Sequence, residues 1–276
     1  MRIVITGSAG QLGRALQPVL QANELLLLDL PHHDLTDCAA TQQVIAAFQP
    51  QYAIHAAAFT NVDQCELEPE TAYKINALAT QNVALACRHC RAAMLYISTD
   101  YVFDGAKSEP YWEWDQPNPQ SVYARSKLAG EHITQSLLHR FYVVRTAWLY
   151  GRGARNFVTS VLKLASERDQ LHYVTDEVGS PTYAPDLARA IAKLIERPIY
   201  GIYHLTNSGV CSRYEWAKAI LELAGQPDYP ILPTQGYQRA AKVPACCELR
   251  NLAAATQFSI RMRPWREALA DYFHGD

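Results

Sequence analysis

Short apolar runs alternate with helix-period stretches along most of the chain. Arg2-Ile-Val-Ile-Thr6 and Glu24-Leu-Leu-Leu-Leu-Asp29 have the near-continuous apolar character of strands covered on both faces. The same reading gives strands at 2–6, 24–28, 52–56, 93–98, 141–146, 171–175 and 201–206. Helical periodicity falls between them, at 11–20, 40–48, 71–91, 121–138, 156–168, 184–196 and 213–224. Such alternation predicts right-handed crossovers and an α/β fold, a doubly wound parallel sheet with helices on both faces. After about residue 147 the alternation loosens into Pro- and Gly-rich stretches. Residues 1–147 are therefore expected to form one domain, with parts of about 171–206 returning to it, and 148–276 mainly a smaller C-terminal lobe.

The first strand runs straight into Gly7-Ser-Ala-Gly10-Gln-Leu-Gly13 and then into a helical pattern. In a Rossmann-like dinucleotide site, glycines allow the tight turn, close approach of backbone to pyrophosphate, and close packing of helix on strand. The pyrophosphate rests on the positive helix N-terminus. The second strand ends in Asp29, about 20 residues on, where a carboxylate accepts the ribose hydroxyls. No arginine or lysine lies between Asp29 and Asp37 to receive a 2′-phosphate, so NADH is expected to serve at least as well as NADPH. Ligands of such sheets bind beyond the carboxyl ends of the strands. Thr6-Gly7, Asp29, Ala57-Ala58, Ser98-Thr99 and Thr146 to Trp148 all fall at such ends.

Tyr123-x-x-x-Lys127 adds chemistry. Residues four apart share a helix face, so Lys127 can stand beside Tyr123. A phenol titrates near ~10. A cation ~4 Å away at an effective dielectric of ~20 would stabilise the tyrosinate by at most roughly 4 kcal/mol, enough to bring it toward working pH. A hydroxyl from Ser98 or Thr99 would hold the substrate oxygen.

Composition narrows the class. The formal charge of −2 gives no reason to expect nucleic acid or an anionic membrane. No apolar run approaches the ~18 residues needed to span a bilayer. Met1-Arg2-Ile-Val-Ile reads as the first core strand, not as a signal peptide. Seven cysteines without an export signal are expected to be reduced thiols of a cytoplasmic protein. Cys87 and Cys90 lie within a long helical pattern without a second pair, which favours core packing over redox or metal chemistry; the vicinal Cys246-Cys247 has no assigned role.

Taken together, the chain resembles the extended short-chain dehydrogenase/reductase superfamily and, within it, the dTDP-4-dehydrorhamnose reductase family. The resemblance rests on the glycine turn, Asp34-Leu-Thr-Asp37, Ala56 through Asp63, Asn76 and Ser98 through Gly105. It continues through Val122 to Glu131, Arg145 to Tyr150 and Gly179-Ser-Pro-Thr182. It implies reduction, by NADH or NADPH, of the 4-keto group of a nucleotide-activated 6-deoxyhexose. Gly10, Gln11 and Leu12 would contact pyrophosphate, with Gly7 and Gly13 shaping the turn. Asp29 would hold the adenosine ribose, Asp34 and Leu35 the adenine, and Ala58, Phe59 and Thr60 the nicotinamide side. Tyr123 would donate the proton, Lys127 would hold the nicotinamide ribose, and Thr99 would fix the sugar carbonyl. Asp100, Thr60 and Trp148 would contact the hexose.

Tyr101 stands where dehydratases of the superfamily carry a glutamate, so water loss is not expected. A 4-epimerase shares the Tyr/Lys pair and remains an alternative, as does a non-catalytic NADP-binding subunit like that of methionine adenosyltransferase. The family's C-terminal Arg-Pro-x-x-Ser/Asn-x-Leu is here Val243-Pro244-Ala-Cys-Cys247-Glu-Leu249, with only Lys242 nearby. Some bacterial members dimerise through Mg²⁺ held by glutamates. Those positions are Ala15 and Pro185, which implies no metal and a monomer or a metal-independent homodimer.

Overall fold

A computed structural model of the chain describes residues 1–153 and 155–274. The central sheet has six strands: β1 (Arg2–Thr6), β2 (Glu24–Leu28), β3 (Tyr52–His55), β4 (Ala93–Thr99), β5 (Phe141–Thr146) and β6 (Gly201–His204). Their order is β6-β5-β4-β3-β1-β2, and every pairing is parallel. The predicted doubly wound fold is thus present. The chain leaves β1 for β2 on one side and then crosses to β3 on the other. That reversal opens a crevice beyond the strand ends, where the glycine turn begins.

One face of the sheet packs Ile3, Ile5, Leu12 and Leu16 against Leu187, Ile191, Leu194 and Phe258. The helices Ala184–Leu194 and Leu252–Phe258 therefore return to the sheet from late in the chain. The other face packs Val4 and Met94 against Ile45, Val83 and Cys87. A separate core joins Val158, Val161, Trp216, Ile220 and Leu269. Among the described residues, no helix is long and apolar enough to cross a membrane.

Three features differ from the sequence reading. Residues 171–174 form a strand, but it pairs in parallel with Ile231–Thr234 in the second core, outside the central sheet. Its alternating burial, with Leu171 and Val174 inside and His172 exposed, is that of a strand covered on one face. Strand β2 lies at the sheet edge, which leaves Leu27 39% exposed despite its apolar run. The helix expected over 71–91 is interrupted: Pro69–Tyr73 and Ala79–Cys90 are α-helical, and Lys74–Leu78 between them is a π turn. Such turns are frequent at functional sites because they re-aim side chains without ending the helix.

Candidate active site

The glycine turn is held by sterics. Gly7 has φ +64°, and a Cβ there would stand 2.6 Å from the Ala57 nitrogen. At Gly13 a Cβ would stand 2.2 Å from the Gly7 carbonyl oxygen. Gly10 opens the Gln11–Val19 helix, and no side chain caps its first amides. This leaves a bare helix N-terminus facing the crevice, the cradle that a dinucleotide pyrophosphate requires. Asp29 is tied into the turn: Ala9 donates its N–H to Oδ2 at 2.7 Å, and Leu30 donates to Oδ1 at 2.8 Å.

Two adjoining clefts flank the turn. One, of about 630 Å³, is lined by Gly7, Gly10, Asp29, Asp34, Leu35, Ala58 and Phe59. His33, Thr36, Lys74 and Ile75 also line it and were not foreseen. Lys74 and Ile75 reach it from the π turn, which no local sequence signal announces. The second cleft, of about 490 Å³, is lined by Gly7, Gly10, Gln11, Leu12, Gly13, Ala58, Thr60, Thr99, Tyr123, Lys127 and Trp148, with Arg155 at its wall. The expected site residues therefore converge on these two clefts, with Asp100 the exception. It is 2% exposed and lines neither.

Tyr123 and Lys127 project from the helix Val122–Leu137, whose N-terminus is capped by Ser121 accepting from the Ala124 N–H. One turn beyond Lys127, Glu131 pairs with Arg145 of β5 at 2.7 Å, both side chains buried. Ser98 donates its hydroxyl to the same carboxylate, so it is spent on structure. Thr99 Oγ1 donates to Asp100 Oδ1 at 3.0 Å and accepts the Tyr101 N–H at 3.2 Å. Asn76, fully buried in the π turn, accepts from the Phe59 N–H at 2.8 Å and donates to Ser126 Oγ at 3.0 Å, tying the β3 loop to the Tyr123 helix.

The electrostatics correct one expectation. Lys127 Nζ lies 4.1 Å from the centroid of the Tyr96 ring, and burial lowers its pKa to about 7, opposed by Glu131. The Tyr123 phenol is raised above its ordinary value of 10, chiefly by burial, with the Thr99 hydroxyl acting the other way and Asp100 reinforcing the rise. Burial, rather than the lysine, sets the direction for the phenol. Burial likewise pushes Asp100 up to about 7.

Trp148 adopts φ 46°, a left-handed conformation unfavourable for a bulky residue. Its half-buried ring carries the Arg213 guanidinium 3.5 Å from its centroid and stacks near Trp216 at 5.5 Å. Gly179 lies against it, where a Cβ would stand 2.6 Å from Trp148 Cε2. In the C-terminal segment, Lys242 is taken by the Gln120 side chain at 3.1 Å. A guanidinium comes instead from Arg239, bonded to both oxygens of Asp63 at 3.2 and 3.3 Å, with Glu177 3.8 Å away. Neither Arg213 nor Arg239 carries a motif that singles it out in the sequence. The seven cysteines are free thiols, with Cys87 and Cys247 buried. Among the described residues, no group of three or more His, Cys, Asp or Glu is arranged to hold a metal ion.

Residues 1–275 match the family described as RmlD substrate binding domain. The chain is 39% identical, over 98% of its length and 96% of the relative's, to spore coat polysaccharide biosynthesis protein SpsK of Bacillus subtilis. It is also 39% identical to a dTDP-4-dehydrorhamnose reductase of Aggregatibacter actinomycetemcomitans, covering 97% of each. The crystal structure of dTDP-4-dehydrorhamnose reductase from Bacillus anthracis in complex with NADP superposes with a TM-score of 0.95 at 39% identity, over 99% of this chain and 98% of that one.

Proposed function

The chain belongs to the RmlD substrate binding domain family, and from that premise we propose that it reduces the 4-keto group of a nucleotide-activated 6-deoxyhexose. The reaction is NADPH- or NADH-dependent and converts dTDP-4-dehydro-L-rhamnose to dTDP-L-rhamnose. The enzyme is an oxidoreductase of dTDP-rhamnose synthesis, in keeping with relatives named for that step. The observation that carries the reading is the meeting of Thr99, Tyr123 and Lys127 with the glycine turn in one cleft.

When bound, the dinucleotide would supply hydride to C4 of the sugar. The chain's own residues bind, orient and protonate. The uncapped amides of Gln11 and Leu12, next to Gly10, receive the pyrophosphate. Asp29, Asp34 and Leu35 hold the adenosine end, and Ala58, Phe59 and Thr60 shape the wall toward the nicotinamide. The two amide bonds to Asp29 offset its charge, and Lys74 lines the same cleft, which supports acceptance of a 2′-phosphate alongside the plain ribose. Thr99 fixes the carbonyl oxygen, and Tyr123 gives its proton to the oxygen as C4 gains hydride. Burial keeps that phenol protonated, the form that reduction consumes. Lys127 holds the nicotinamide ribose. Trp148 presents an apolar face to the sugar.

Residues 1–147 and the returning 184–206 segment serve the dinucleotide, and most of the remainder serves the sugar. The enzyme works in the cytoplasm, as a monomer or as a homodimer that needs no metal. The decisive experiment offers the purified protein a panel of 4-keto nucleotide sugars with NADH and NADPH and follows loss of nicotinamide absorbance. Turnover should be strongest with dTDP-4-keto-6-deoxy-L-lyxo-hexose. Failure to oxidise either cofactor with any member of the panel would overturn the proposal.

A further inference from the structure

The second cleft carries positive charge that nothing in its wall offsets. Among the described residues, Lys127 and Arg155 are the cations that line it, and no Asp or Glu lines it. Lys127 is committed to the nicotinamide ribose, whereas Arg155 has no task in the chemistry above. Arg155 is exposed, and among the described residues no ion pair or hydrogen bond takes its guanidinium. Other arginines of this region are engaged: Arg14 Nε donates to the Ala9 carbonyl at 2.6 Å, and Arg213 and Arg239 pair with Glu177 and Asp63. The residues around Arg155 in sequence hold it beside the glycine turn. A Cβ at Gly151 would stand 3.6 Å from the Gln11 Cβ, and one at Gly153 would stand 3.5 Å from the Arg14 side chain. Asn156 Nδ2 donates to Gln11 Oε1 at 3.0 Å and to the Gly151 carbonyl at 2.7 Å. Residues 151, 153 and 156 thus all rest on the first turn of the helix Gln11–Val19, whose amides no side chain caps. We propose that Arg155 is a binding residue for the dinucleotide, its guanidinium pairing with the pyrophosphate that rests on those amides. This deepens the dinucleotide reading given above and rests on it.

The chemistry of a pyrophosphate calls for such a group. A helix N-terminus offers partial positive charge and a few N–H donors. A pyrophosphate carries full negative charges on each phosphate and more oxygens than those amides can satisfy. A guanidinium presents paired N–H donors that match phosphate oxygens, where an ammonium offers only a point charge. Lys74 lines the other cleft, at the adenosine end, so the two cations face different parts of the same ligand. A nucleotide sugar also carries a diphosphate. The contacts of residues 151, 153 and 156 with Gln11 and Arg14 assign Arg155 to the dinucleotide instead, because that helix turn is the dinucleotide cradle. Exposure of the guanidinium makes its contribution sensitive to salt.

The test is Arg155→Ala in the full chain, with Arg155→Lys and Arg155→Glu beside it. Calorimetric titration gives Kd for NADH, NADPH, ADP-ribose and dTDP. Arg155→Ala should weaken NADH, NADPH and ADP-ribose alike, by about tenfold, the lower end of what a hydrogen bond to a charged group contributes. Binding of dTDP should not change. Arg155→Lys keeps the charge without the fork and should recover part of the loss, while Arg155→Glu should bind all three more weakly than Arg155→Ala does. Added salt should weaken NADH binding more in the wild type than in Arg155→Ala. Loss confined to NADPH would place Arg155 on the 2′-phosphate, and loss confined to dTDP would place it on the nucleotide sugar; either result overturns the proposal. Unchanged affinity for all four ligands overturns it as well. So do losses that lysine does not recover and salt does not modulate, which would make Arg155 a structural residue. A wild-type protein that binds no dinucleotide would instead count against the dinucleotide reading itself.

Discussion

Tyr123→Phe removes one oxygen and, on the proposed chemistry, the proton that ends the reaction. NADPH binding should stay near normal, while turnover falls by roughly 10²–10⁴, the usual weight of a general acid. Fluorescence titration and kcat on the same preparation check it, and near-wild-type turnover would reject the assignment. At this scale the site was readable where the cause is local. A four-residue helical offset puts Tyr123 and Lys127 on one face whatever surrounds them, and Gly7 and Gly13 are required by the absence of room for a Cβ. What surrounds them was not readable. The Tyr96 ring under Lys127, and Arg145, which pairs with the Glu131 that consumes Ser98, come from strands distant in sequence. Desolvation of the phenol depends on them and on the fold around it. The expected lowering of its pKa was therefore judged from the pair alone, and burial reversed it.

At the scale of elements, the Gly179–Trp148 contact carries a specific expectation. A methyl at Gly179 would stand 2.6 Å from the indole, whose ring also has Arg213 3.5 Å from its centroid. The indole must then leave its place, since overpacking of this kind costs about 1–3 kcal/mol. Gly179→Ala should lower kcat/KM for the nucleotide sugar about 5- to 150-fold, that energy expressed as a rate. NADPH affinity should barely change, because the glycine turn lies on other elements. Trp148→Ala should share the pattern. Parallel loss of cofactor affinity and sugar turnover in both variants, or simple unfolding, would make Trp148 a core residue. Elements with strong periodicity were legible, and those defined by partners were not. The strand at 171–174 was found, but its pairing with Ile231–Thr234 depends on a distant segment with no strong pattern of its own. The π turn at Lys74–Leu78 changes hydrogen bonding without changing the apolar period, so a helix from 71 to 91 was the natural reading.

For the whole molecule, buried titrating groups set the response to acid, and they oppose one another. His55, between the Thr6 and Thr80 hydroxyls at 2.7 and 3.1 Å, and His204 are held neutral by burial, with pKa values depressed to about 3. Below the ordinary value of 6.5 the unfolded chain binds a proton at each that the native state refuses, so acid weakens the fold. Asp100, raised to about 7, and Glu113, also raised, act in the other sense. Above their ordinary values of 3.8 and 4.5 the native state keeps a proton that the unfolded chain gives up, so acid strengthens the fold. Each fully shifted group contributes a slope of about 1.4 kcal/mol per pH unit. Between 4.5 and 6.5 two histidines therefore stand against Asp100, with Glu113 adding to it as far as its shift extends. The wild-type unfolding free energy, measured by urea denaturation across that window, should fall as pH drops, by at most the one unopposed histidine's slope of about 1.4 kcal/mol per pH unit. Asp100→Asn leaves the histidines less opposed, and its stability should fall steeply as pH drops. His55→Gln leaves one histidine against Asp100 and should flatten the curve, whatever the substitution costs at neutral pH. Three parallel curves would mean that these groups do not titrate as their burial requires. The same measurement reports the protonation of Asp100, because only a carboxyl that is protonated in the native state makes its asparagine variant more sensitive to acid.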